Sequence, residues 1–183
     1  MDLAAEFVAR SRHYLAFEYP RKIQLCLDML PPDALWRRPD AGSNSIGNLL
    51  LHLQGNVRQW IVSSVGGAPD RRHRASEFAA TDGSDAVTLF AALRATVDEA
   101  DAVIAGLSVD DLASRRTIQG RDVTVFDAVY HVVEHFSLHT GQIILLTKQY
   151  APGLVQFYED AGGLAKPVWR EASLAELSAD PEA

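Results

Sequence analysis

The 183-residue sequence has a single cysteine, Cys26, so no disulfide can form within it. That argues for a reducing compartment, with the cytoplasm as the expected location. No apolar run approaches the roughly 20 residues needed to span a bilayer. Residues 1–12, MDLAAEFVARSR, lack the basic-then-apolar pattern of a secretory signal. Positive charge is scarce as well: 17 Lys and Arg against 24 Asp and Glu leave a net charge of −7 at pH 7. An acidic chain is a poor generic ligand for nucleic acid or anionic membrane, so neither is expected as a partner. The one basic run, RRHR at 71–74, is short and falls in a predicted loop. Strand-type alternation is nearly missing; only TIQGRDVT at 117–124 reads as a short β-like turn, centred on Gly120.

What fills the sequence instead is helical periodicity. Residues 2–17 form an amphipathic pattern that Pro20 either interrupts or carries into a continuation through Leu30, where Pro31 and Pro32 end it. After the turn-rich stretch PPDALWRRPDAGSN, Asn44 or Ser45 can cap a second helix that runs to about Val65 and stops at Gly66-Gly67. Residues 67–83 are polar and read as a loop with at most a short helical turn. A third helix starts at Ser84 or Asp85 and runs to about Leu107, with Val87, Leu89, Phe90, Leu93, Val97, Val103 and Ile104 as its apolar positions. Thr124 can cap a last helix over about 125–149. Four long helices joined by connections of varied length predict an all-α four-helix bundle, one domain over residues 1–172 with an acidic, flexible tail at 173–183.

Half of the six histidines lie on one stripe of the last helix: His131, His135 and His139 in HVVEHFSLHTGQI. Residues i, i+4 and i+8 stack along one helix face. Neighbouring imidazoles can then reach one ion, and side-by-side imidazoles are hard to bury without a shared partner. The spacing makes His135 and His139 a metal-binding pair, with a third nitrogen to come from a facing helix. Such a set would leave a position open for water or substrate. His52 lies in another apolar helical run, NSIGNLLLHLQGNVRQWI, one turn from Asn48 and Asn56, to which it could simply be hydrogen-bonded.

These two segments resemble the second-helix and last-helix motifs of the DinB superfamily, which includes the YfiT-like proteins; the second-helix motif is close to that of its DUF1572-type branch. The matching patterns are N-S-I-x5-H-L-x-G-N and H-x3-H-x-G-Q-I, and the resemblance covers roughly residues 5–150. It implies a divalent metal on three histidines, His52, His135 and His139, with zinc or nickel the expected ion. It further implies a homodimer, and transfer of a low-molecular-weight thiol such as glutathione, mycothiol or bacillithiol to a small-molecule electrophile. A metal-dependent hydrolase and a non-catalytic binding protein of stress responses are the alternatives.

His131 can be a partner of a metal ligand, a general base or an ordinary helix histidine. Asn48, Asn56 and Gln142 are candidates for contact with the ligand histidines or a bound cofactor. Neither motif helix aims a carboxylate inward. A thiol bound to the metal needs no base to become a thiolate, whereas hydrolysis would benefit from one, so this absence favours thiol transfer over water activation.

Overall fold

The structure, a computed structural model, describes residues 2–168. The tail expected over 173–183 lies outside the described residues. The first rod is continuous: α1 (Leu3–Arg12), a π-helical segment (His13–Glu18) and α2 (Tyr19–Met29). Asp2 starts it by accepting the amides of Ala4 and Ala5. Pro20 does not break the rod. It lacks the N–H that would serve the Ala16 carbonyl, and Arg94 from another helix donates Nη1 to that carbonyl at 2.6 Å instead. The amide of Tyr19 reaches back five residues to Tyr14, so the wide π turn sits immediately before the proline.

The second rod is α3 (Ile46–Val57) with its own π-helical extension (Arg58–Val65). Ser45 and Asn48 form a reciprocal cap at its start. Close by, the Trp36 ring lies over Gly47, where a Cβ would fall 2.7 Å from the indole. The connection that follows is less loop-like than the sequence suggests, because residues 74–79 form α4 (Arg74–Ala79). The third rod is α5 (Ala86–Ala105), capped by Asp85, and the fourth is α7 (Val125–Tyr150), capped by Thr124 with Asp127. A short α6 (Val109–Ala113) precedes a hairpin of β1 (Arg115–Ile118) and β2 (Arg121–Thr124). Its two-residue turn, Gln119 and Gly120, has positive φ at both positions, as a tight antiparallel hairpin requires. A second hairpin, β3 (Tyr158–Asp160) with β4 (Ala165–Pro167), was not expected; three-residue strands are too short to show alternation.

The four rods make an all-α bundle in which α3 packs against α5 and α7, and α2 against α7. Ile23, Leu53, Ile61, Leu93, Phe136 and Ile143 are fully buried between them. No helix among the described residues is long and apolar enough to cross a membrane. One expected core position fails. Val87 is 79% exposed, because it lies on the face of α5 opposite the buried Leu89 and Leu93. Leu53→Ala should therefore lower unfolding free energy by about 2–5 kcal/mol. Val87→Ala should change it by no more than about 0.5 kcal/mol. Urea denaturation of the two variants checks the contrast.

Candidate metal centre

His52 projects from the middle of α3, and His135 and His139 from successive turns of α7. Their Nε2 atoms converge: His52 to His135 is 3.0 Å and His139 to His135 is 3.2 Å, with all three ligand atoms inside 4.8 Å of one another. Nitrogens bound tetrahedrally to one zinc-sized ion at about 2.0–2.1 Å would stand about 3.3 Å apart. The cluster is thus close to the spacing an ion demands. It is also the only group of three or more such side chains among the described residues.

The outer nitrogens decide which form each ring takes. His139 Nδ1 lies 2.6 Å from Gln142 Oε1, an acceptor, so the ring carries its proton on Nδ1 and leaves Nε2 free. His52 Nδ1 lies 2.8 Å from Glu77 Oε2 and 3.1 Å from Arg72 Nη2. A carboxylate can only accept, so Nδ1–H donates to Glu77, and the guanidinium hydrogen goes to the same carboxylate at 2.9 Å. His135 Nδ1 is buried with no partner. His52 and His139 thus turn a bare Nε2 toward His135. Burial, reinforced by the neighbouring His139 and His52, pushes His135 down to about 3. Burial also lowers His139 and His131 below the usual histidine range.

Glu77 and Arg72 come from the connection, and the sequence reading missed both. They are buried, with side chains 9% and 4% exposed. Arg72 donates Nε to Glu77 Oε1 at 2.7 Å, completing a two-pronged pair. Burial alone would raise the Glu77 carboxyl, but hydrogen bonds from Arg72 and His52 outweigh it and hold the group below its ordinary value. The backbone beneath is pinned by Asn48, whose Nδ2 donates to the carbonyls of Glu77 at 2.8 Å and Ala80 at 2.7 Å. Asn48 Oδ1 is taken by Ser45. Its amide has no capacity left, which corrects the expectation that Asn48 meets a ligand. Gly55 is the one trace of this arrangement in the sequence: a Cβ there would overlap Glu77 Oε1 and stand 2.9 Å from Arg72 Nε. On the outer side of the pair lies a cleft of about 300 Å³, bounded by Arg58, Arg71 and Ser76, which none of the three histidines lines.

His131 sits one turn from His135, with ring centroids 5.3 Å apart. It packs on Trp60 at 4.0 Å between centroids, and its Nε2 is 3.4 Å from Asn56 Nδ2. Asn56 therefore meets His131 rather than His52. Glu134 is exposed, His13 lies beside Glu18 on the first rod, and His73 is on the surface.

Residues 12–152 match the sequence model of a family described as mycothiol-S-transferase. Among solved structures, the chain is similar to a DinB-like protein from Bacillus cereus ATCC 10987. Identity is 19%, covering 74% of this chain and 89% of that one, with a TM-score of 0.57, a likeness of fold. Comparison with curated protein sequences finds no match.

A neutral buried histidine makes stability depend on pH. The unfolded chain takes up a proton near pH 6.5, whereas folded His135 resists it down to about 3. Its contribution is fully present above about pH 6.5 and is lost as pH falls below that value. In chelator-treated protein the urea midpoint should fall between pH 7 and pH 5, above the range where carboxylates titrate. His135→Gln should flatten that slope, and an unchanged slope would contradict the assignment.

Proposed function

The chain belongs to the mycothiol-S-transferase family, and from that premise we propose that it transfers a low-molecular-weight thiol to a small electrophile, using a divalent ion held by His52, His135 and His139. The observation that carries this reading is the convergence of three imidazole Nε2 atoms with no carboxylate among them. Zinc or nickel suits such a nitrogen set. When bound, the ion keeps its two positive charges and favours a thiol in its thiolate form near neutral pH.

The chain's own residues supply the rest. His52 and His139 already carry their proton on Nδ1 and present a bare Nε2, so loading need displace a proton only at His135. Gln142, exposed beside His139, fixes that ring and has an amide nitrogen left for the substrate. His131 is the nearest further base, neutral because it is buried and held between Trp60 and Asn56. A thiol ionised near neutral pH gives its proton to solvent, and His131 is the base that the alternative reading, with water as nucleophile, would use. Cys26 is no rival nucleophile, since burial lifts its thiol to about 11. Its reduced state suits the cytoplasm. The solvent-facing side of α7 carries Tyr130, Leu138 and Leu145, each more than half exposed, and supports a homodimer. Light scattering at micromolar concentration should give twice the 20.0 kDa chain mass; a monomer mass would remove the dimer alone.

Protein purified without a nickel column should contain about one zinc or nickel per chain. Its cobalt-substituted form should change spectrum on addition of a low-molecular-weight thiol, tested across mycothiol, bacillithiol and glutathione. His139→Ala should abolish both metal content and thiol conjugation. If no thiol perturbs the spectrum, while ester or amide hydrolysis proceeds and depends on His131, the protein is a hydrolase instead.

A further inference from the structure

The geometry points to Glu77, clamped by Arg72, as a positioning residue that fixes His52 with Nε2 free for the ion; this rests on the three-histidine reading above. Three observations combine. Glu77 Oε2 lies 2.8 Å from His52 Nδ1, and both side chains are more than nine-tenths buried. Arg72 holds both carboxylate oxygens, at 2.7 and 2.9 Å, so the carboxylate cannot swing away from the ring. Gly55, one turn along α3 from His52, leaves the space that the pair occupies.

The chemistry follows from charge. An anion accepting Nδ1–H makes the far nitrogen a better donor and fixes the ring plane. Buried alone, Glu77 would be costly, and Arg72 balances it within the same pocket. The three rings are therefore unequal. His52 is anchored by a charged acceptor, His139 by the neutral Gln142 amide, and His135 by nothing at Nδ1. The strongest donor is the one from α3, the helix that carries a single ligand. Its anchor arrives from residues 66–83, a connection with no metal ligand of its own.

The test separates this inference from the metal reading. In metal-free wild-type protein, long-range 1H–15N spectra should show the His52 proton on Nδ1, a result that needs no metal. For affinity, Glu77→Gln alone leaves Arg72 charged and buried, so the double variant Arg72→Met/Glu77→Gln is used beside it. Gly55→Ala provides a third route, displacing the pair while keeping every charge. Cobalt Kd should rise about 10- to 100-fold in each variant that folds, with unfolding midpoints measured in parallel. A Kd within twofold of wild type in both the double variant and Gly55→Ala overturns the proposal, as does a proton on His52 Nε2 in the metal-free protein. If wild-type protein binds no cobalt, the metal reading fails, and the spectra still decide whether Glu77 sets the ring.

Discussion

Three imidazole lone pairs aimed at one point cannot satisfy one another: a proton or a cation must stand between them. A proton can link two nitrogens and leaves the third unserved. Further protonation would place like charges a few ångströms apart inside the bundle, which is why burial and its neighbours drive His135 so far below the histidine range. A divalent ion would meet all three at once. The surrounding side chains are arranged about that shared point. Two rods must face each other at the level of His52, His135 and His139, and each ring must be turned so that its inner nitrogen is bare.

Turning the rings draws in the surroundings. On α7, Gln142 lies three residues beyond His139 and comes with the helix at no extra structural cost. On α3 no residue at helical spacing does that work for His52, and the connection after α3 must return over the helix. Asn48 catches the Glu77 and Ala80 carbonyls, and Arg38 catches those of Phe78 and Ala80. A segment with few apolar side chains is thus held by side-chain hydrogen bonds to its backbone carbonyls. The ion pair within it brings little net stability at such depth; its geometry is what the site uses.

The bundle was legible because its signals are periodic. The capped starts at Ser45, Asp85 and Thr124, and the span of α7, follow from local rules that tertiary packing does not override. The histidine stripe was legible for the same reason, and the family patterns supplied His52. Glu77 and Arg72 were not. Five residues apart in a polar stretch, they obey no helical or strand spacing, and their meeting with His52 is fixed only by how the chain returns. Asn48 misled because a cap residue and a ligand contact look identical in sequence. Both sit one turn from the histidine, and only the fold shows that Ser45 and the carbonyls of Glu77 and Ala80 have claimed its amide.

Pro20 carries a consequence that reaches the opposite end of the first rod. A π-helical stretch advances each residue by less angle than an α-helix does, and over His13–Glu18 the lag sums to about 100°. Everything before His13 is rotated by that amount relative to a uniform α-helix. With this phase, Phe7 meets Phe126 at 4.2 Å between ring centroids. The proline, the wide turn and the Arg94 hydrogen bond to Ala16 together act as a rotational setting. Positions 20 and 94 share one acceptor: an amide restored at 20 would compete with the guanidinium for the Ala16 carbonyl. A relaxed turn would then carry the aromatic face of α1 away from the start of the histidine helix.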